Sequence, residues 1–465
     1  MTEVGGNRHV PEPEITEINK VLKEQAEARE FVLWTAKENG VKFIRLWFSD
    51  ILGHLKGFAI TVEELEDALT QGVGFDGSAI EGFVRIHESD MVAMPDPTTF
   101  RILPWRPREH SVARMFCDVL SPTGEPFDGD PRHVLKRNVS RAADMGFTYY
   151  VGPELEYFYV ESAESPALLD QGGYFDQLPS DYASDLRRET VLSLADMGIS
   201  VKYSHHERAP SQQEIDLQYT DALTMADNVV TSRLVIKEVS SRHNVYATFM
   251  PKPVFGINGS GMHTHQSLFR GDENAFYDQD DPYKLSHIGK LFAAGLMRHA
   301  PELTLVTNQW VNSYKRLVPG FEAPLYISWA RNNRSDLIRI PDYKPGREDS
   351  VRIEYRAPDP SCNPYLAFSV MLAAGLSGIE NEYEIPEPVE ENVFELGDEE
   401  REARGIGMLP RSLWEAILAA EGSDVLRSSL GDHVFQVFIQ NKKIEWDRFS
   451  SQVTNYETGR YLPML

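Results

Sequence analysis

An α+β protein in two parts is what the sequence predicts, and three observations predict it. Residues 15–120 combine a helical pattern with aromatic-rich alternating runs. The stretch Ser121-Pro122-Thr123-Gly124-Glu125-Pro126-Phe127-Asp128-Gly129-Asp130-Pro131 is crowded with turn formers and marks a break between domains. Beyond it, strand patterns alternate with long helical ones without an internal repeat, as in one large domain.

Composition limits the function. The 465 residues are 42% hydrophobic, enough for a large buried core. A net charge of −25 argues against a nucleic-acid surface or a basic membrane-binding face. Cys117 and Cys362 are too few and too far apart for a disulfide framework or a zinc-binding spacing, which points to a reducing, cytoplasmic setting. Met1–Glu14 is polar, lacks the apolar core of a signal peptide and is expected to be disordered. The longest uncharged run, Pro360–Ile379, contains Ser361, Asn363, Pro364, Ser369 and Ser377, so it reads as a buried helix beginning near Pro364 and not as a membrane span.

Taken in order, residues 15–40 place Ile18, Val21, Leu22, Phe31, Val32 and Ala36 at helical spacing, and Asn39-Gly40 stops the helix. Val41–Phe48 alternates and is aromatic, so a strand follows, turning at Asp50-Ile51-Leu52-Gly53. Gly74–Phe83 is a glycine-punctuated loop around Asp76, followed by Glu88-Ser89-Asp90; it suits either a close approach to a ligand or an ordinary turn cluster. A basic helix is expected from Arg132, strands at Thr148–Tyr159 and Val245–Met250, and helices at Asp221–Arg242 and Tyr283–His299.

Several stretches carry chemistry. Pro210 interrupts the run from His205 to Asp216, so a strand, a turn and a second strand are expected, aiming Glu207 and Glu214 into one cavity. In Gly152–Val160, period-two alternation puts Glu154 and Glu156 on one face of an otherwise apolar strand, which is costly unless a cation neutralises them. After Asn258-Gly259-Ser260-Gly261, alternation lets His263, His265 and Ser267 share a face. Arg352, Glu354 and Arg356 would project together from another strand. Five carboxylates with one imidazole suit Mg²⁺ or Mn²⁺ better than zinc. Residues 315–356 hold nine basic side chains against six acidic ones, a balance that suits phosphates and small carboxylates.

Together these stretches resemble class I glutamine synthetases over nearly the whole chain, from about residue 28. Phe-Asp-Gly-Ser (75–78), Pro-Glu-Leu-Glu (153–156), Asn-Gly-Ser-Gly-Met-His (258–263), Lys-Arg-Leu-Val-Pro-Gly-Phe-Glu-Ala-Pro (315–324) and Arg-Ile-Glu-Tyr-Arg (352–356) occur in the family's order. The resemblance implies a disordered or helical extension over 1–27, a β-grasp domain over 28–125 and, over 126–465, a catalytic domain with a curved antiparallel sheet. It also implies a dodecamer of two hexameric rings with each active site shared between neighbours.

By motif, Glu156, Glu207 and Glu214 resemble the ligands of one divalent metal, and Glu154, His263 and Glu354 those of a second. Asn258, Gly259, Arg316 and Arg356 match glutamate-binding positions; Tyr219, His265, Ser267, Arg339 and Arg352 match the ATP side. Arg334 resembles the residue that stabilises the transferring phosphoryl group, and Glu322 the carboxylate of the flap that closes the site. Asp76 of an adjacent subunit resembles the residue that binds and deprotonates ammonium, with Asp90, Tyr174 and Glu207 beside it. The activity implied is ATP-dependent ligation of glutamate to ammonia, with a larger amine as the alternative nucleophile.

Three residues depart from the family's pattern. Ala79 stands where a second serine is common, and Arg208 where a small or apolar residue usually follows the glutamate; both resemble an actinobacterial branch that includes γ-glutamylpolyamine synthetases. Phe394 occupies the position of the tyrosine that other members adenylylate, so that switch is not expected here. A phosphagen-kinase-like activity and an inactive structural relative are the competing classes. The Asp76 loop speaks against the first and the filled ligand positions against the second.

Overall fold

The computed structural model describes residues 12–78, 80, 82, 90–107, 109–177, 183–331, 333, 335–343 and 345–465. Residues 1–11 of the expected disordered stretch, together with Ala79 and Arg334, lie outside the described residues. A helix, Glu12–Glu38, takes in the rest of that stretch. It ends where expected: Gly40 adopts φ 60°, and the Val41 amide reaches back to the Ala36 carbonyl.

Contacts divide the chain into two units. One comprises Met1–Phe48, Lys56–Gly77 and His87–Pro126; the other comprises Ser49–Leu55, Ser78–Ile86 and Phe127–Leu465. The smaller unit is built on β1 (Phe43–Ser49), β2 (Leu55–Thr61), β3 (Val73–Asp76), β4 (Asp90–Pro95), β5 (Arg101–Ile102) and β6 (Val112–Leu120). The sheet order is β2-β1-β6-β4-β3, with β5 on β6. β1 and β6 run parallel, while β3 and β4 are antiparallel and place Asp76 opposite Asp90. Val32 and Ala36 of the helix join Ile44, Leu46, Met115 and Cys117 in a closed apolar core.

The larger unit contains β7 (Thr148–Val160), β8 (Val201–His206), β9 (Gln212–Leu217), β10 (Thr220–Asp221), β11 (Tyr246–Thr248), β12 (Thr264–Arg270), β13 (Glu273–Asn274), β14 (Tyr326–Ile327), β15 (Trp329–Ala330), β16 (Ile338–Arg339), β17 (Ile353–Tyr355) and β18 (Gly407–Met408). Its main sheet runs β15-β16-β17-β12-β7-β9-β8. The sheet is antiparallel except at one edge, where β15 and β16 pair in parallel. β14 and β18 form a separate ribbon.

Helix Pro364–Glu380 starts at the expected proline, capped by the Asn363 side chain. Every residue from Pro364 to Gly378 is buried, which accounts for the uncharged run; no described helix is long and apolar enough to cross a membrane. The helix expected over Tyr283–His299 instead spans His287–Thr307. Asp281 accepts hydrogen bonds from the Tyr283 and Leu285 amides and holds that segment in a turn until Ser286 caps the helix. Helix Pro131–Asp144 is tied to helix Ala222–Arg242 by Arg132, whose Nε and Nη2 donate to both Asp227 oxygens at 3.2 and 3.1 Å.

Candidate functional site

Strand register assembles the site. β7 pairs with β9 so that Glu154 faces Asp216 and Glu156 faces Glu214; β8 adds His205 opposite Glu214. On the other side of β7, β12 brings in His265, which β17 sets opposite Glu354. Directly opposed like charges destabilise a sheet, so two such carboxylate pairs in neighbouring register require compensation.

A cavity of about 150 Å³ is lined by Glu154, Glu156, Glu207, Glu214, His263 and Arg316, among others. Asn258, Gly259, Tyr174, Glu322, Arg339 and Arg356 also face it. Arg339, expected on the nucleotide side, also lines the acidic cavity, and its Nε donates to Glu354. A second cavity of about 330 Å³ is lined by Tyr219, His265, Ser267 and Arg352 and shares Glu154 as a wall. A roomier cavity of about 750 Å³ lies beside helix Ala222–Arg242, but its only lining carboxylate among the described residues is Glu445. Chemistry, not size, therefore selects the first two.

The donor set fits hard divalent cations. Ligand atoms of Glu154, His263 and Glu354 lie within 4.8 Å of one another, as do those of His205, Glu214 and Asp216. Burial, followed by the Glu207 carboxylate, pushes Glu156 up to about 8. Burial and the charges of Glu154 and Glu156 likewise carry Glu214 well above the usual carboxylate range. Burial also acts to raise Glu354, but the Arg356 cation 2.5 Å away and His265 hold it at about 2. His263 is pushed down to about 4 by burial and by Arg356, so near neutral pH its imidazole is uncharged and can offer a lone pair.

Arg316 is buried and donates to the Ala357, Pro358 and Arg356 carbonyls. These bonds set its guanidinium against Asn258-Gly259-Ser260-Gly261. A Cβ at Gly261 would lie 2.5 Å from Arg316 Nη2, and one at Gly259 would lie 2.3 Å from the Pro251 carbonyl oxygen. The two glycines are required here by the close approach of Arg316 and of the Pro251 carbonyl.

The structure adds residues that sequence reasoning did not single out for the site. Gln212 Nε2 donates to Glu156 at 2.9 Å and to the Gly259 carbonyl at 3.0 Å. Asp216, His205 and Tyr203 belong to the same polar cluster. Their signal was available: Gln212, Glu214 and Asp216 alternate along one strand, as Glu154 and Glu156 do. Asp76 and Asp90 are on β3 and β4 of the smaller unit. Phe394 packs edge-on against Tyr326 at 5.4 Å.

Asp336 makes a separate prediction. It is fully buried, its Oδ1 accepts from Ser328 Oγ and its Oδ2 has no partner among the described residues; burial pushes it up to about 7. Folding thus favours the protonated form. The stabilisation is complete below the unfolded carboxylate value of about 4 and is lost as pH rises through about 7. Asp336→Asn is expected to gain stability over the parent between pH 5 and 8, on the order of 2 kcal/mol. Urea denaturation at the two pH values checks this, and an unchanged difference would refute it.

Residues 40–122 match the family model described as glutamine synthetase, beta-Grasp domain, and residues 128–461 that of the glutamine synthetase catalytic domain. The chain is 52% identical over 442 residues to the glutamine synthetase of Mycolicibacterium smegmatis, covering 94% of this chain and 99% of that one. It is 52% identical over 449 residues to the Methanosarcina mazei glutamine synthetase, covering 96% and 100%. Among solved structures, "GmaS/ADP complex-Conformation 1" superposes with a TM-score of 0.85 at 32% identity, covering 93% of this chain and 99% of that chain.

Proposed function

Because the chain belongs to the glutamine synthetase family, we propose that it joins the γ-carboxylate of L-glutamate to ammonia at the expense of ATP, through a γ-glutamyl phosphate, releasing glutamine, ADP and phosphate. The observation that carries this reading is the convergence of Glu154, Glu156, Glu207, Glu214 and His263 with buried Arg316 and Arg356 around one small cavity that shares a wall with a second.

A carboxylate is a poor electrophile, and its phosphorylation calls for positioning and charge neutralisation more than for covalent help from the protein. Two cations, Mg²⁺ or Mn²⁺, would be held by Glu156, Glu207 and Glu214 and by Glu154, His263 and Glu354, and would supply that neutralisation for glutamate and the ATP phosphates. Asn258, Gly259, Arg316 and Arg356 would bind glutamate through its carboxylates. Tyr219, His265, Ser267, Arg339 and Arg352 would take the nucleotide, with Arg334 on the transferring phosphoryl group. Glu322 would shield the acyl phosphate from water. Asp76 of an adjacent subunit, with Asp90, Glu207 and Tyr174, would bind ammonium and remove its proton, since ammonia is largely protonated near neutral pH. This assignment goes with a homododecamer of two hexameric rings. Cys117 and Cys362 are buried and form no disulfide, which supports a reducing compartment that we take to be the cytoplasm.

One observation keeps a larger amine as a second reading. Arg208, which as a free cation would repel a diamine or polyamine, is paired with Glu322 at 2.7 Å. Phosphate release dependent on glutamate is to be measured with ammonium, methylamine, ethanolamine, putrescine and spermine. Ammonium is expected to give the highest kcat/KM; a much higher value for putrescine or spermine would transfer the assignment to the amine ligase. No amine-dependent release with any of the five would remove the ligase reading.

A further inference from the structure

The polypeptide around Arg208 is held more firmly than a surface turn needs. The Glu207 amide donates to the Gln212 carbonyl at 2.8 Å, and the Gln212 amide returns to the Ala209 carbonyl at 3.0 Å. Asp170 Oδ1 accepts from the Ser211 and Gly172 amides at 2.8 and 2.9 Å and lies 2.9 Å from His206 Nε2. Ser211 Oγ in turn accepts from the Leu169 and Asp170 amides. The turn carrying Glu207 and Arg208 is therefore pinned to the loop that leads into Tyr174. The Arg208 guanidinium lies 5.9 Å from the centre of the Tyr174 ring and 2.7 Å, through Nε, from Glu322 Oε2.

Glu322 belongs to a different loop that lines the same cavity. Gly320 has φ 89° and Glu322 φ 55°, so this loop holds a non-glycine residue in the left-handed region, a conformation that persists only when neighbours hold it. Two cations do so: Arg208 through the carboxylate, and Lys252, whose Nζ sits 3.7 Å from the Phe321 ring centre. Phe321, Glu322, Tyr174 and Glu207 all line the acidic cavity. The arginine thus occupies the place beside a carboxylate and an aromatic face that an arriving cation would take. Its side chain is 47% exposed and that of Glu322 39%, and such a pair contributes only about 0–1 kcal/mol. It can hold a loop and still be exchanged.

We propose that Arg208 is a positioning residue that latches the Glu322 loop in the amine-free enzyme and is displaced from Glu322 when the ammonium or amine cation arrives. The proposal rests on the ligase reading above. It makes Arg208 a competitor of the nucleophile for one carboxylate and a guard against loss of the acyl phosphate to water before the nucleophile binds.

The full-length enzyme is to be compared with Arg208→Lys, Arg208→Ala, Glu322→Gln and the Arg208→Ala/Glu322→Gln double variant, with glutamate and ATP saturating and ammonium varied. Arg208→Ala is expected to lower the KM for ammonium by about two- to fivefold, the Boltzmann factor of an exposed pair, with a far smaller effect on kcat. Amine-independent phosphate release should rise. Arg208→Lys should restore both values, and in the Glu322→Gln background the Arg208→Ala change should have no effect on KM. An unchanged or higher KM in Arg208→Ala, or the same shift in the Glu322→Gln background, would overturn the proposal. Hydrogen exchange over residues 318–325, measured without substrates, reads the latch whatever the enzyme's activity. Faster exchange in Arg208→Ala and parental exchange in Arg208→Lys support it; equal rates in Arg208→Ala and the parent refute it. If the exchange result holds while no amine supports turnover, the ligase reading has failed and the latch has not.

Discussion

His263→Ala is expected to lower glutamate- and ATP-dependent phosphate release by about 10³-fold or more while leaving the parent's state of assembly unchanged. The asymmetry follows from the site. His263 is 8% exposed, its imidazole is held neutral by burial and by Arg356, and its Nδ1 lies 3.1 Å from a Glu154 carboxylate oxygen. Its loss would remove a proposed cation donor and leave the Arg339–Glu354–Arg356 bridge in place. Glu354→Ala would have a different consequence, because two guanidinium groups would remain beside a missing buried carboxylate, at about 3–5 kcal/mol of stability. Steady-state kinetics over a range of Mg²⁺ and Mn²⁺, with sedimentation for the assembly, provides the test. Full activity of His263→Ala at limiting metal would remove this residue from the metal-binding set.

Asp76→Ala is expected to cost about 10²- to 10⁴-fold in turnover, the usual contribution of a positioned general base. The same residue allows a test of shared sites. Asp76 is in the smaller unit, whereas His263 is in the larger one. If the site of one subunit takes Asp76 from its neighbour, dissociating Asp76→Ala and His263→Ala enzymes and reassembling them together should regenerate activity. Random mixing restores about one site in four, when a His263-intact subunit receives Asp76 from an Asp76-intact neighbour. Hybrids that stay inactive, beside parental enzyme that recovers after the same treatment, would argue that each subunit completes its own site.

Much of the fold and of the candidate site was legible in the chain itself. Alternation put Glu154 and Glu156 on one face of the strand that became β7, and the proline break at Pro210 separated β8 from β9. Asn39-Gly40 stopped the first helix, and Asn363-Pro364 opened the buried one. Each depends on interactions within a few residues, which local sequence specifies. Tertiary structure alone decided which strands became neighbours and in what register. Period-two alternation assigns a face but names no partner, so it could not show that Asp216 would stand opposite Glu154, or that Gln212 would bridge Glu156 to Gly259. Nor could it show that Arg339 would turn to Glu354 and the acidic cavity, since that choice depends on β16 pairing with β17. The 113 residues between Arg208 and Glu322 explain the same limit at the mouth of the site: the sequence displays a cation and a carboxylate, and only the packing of distant loops brings them together.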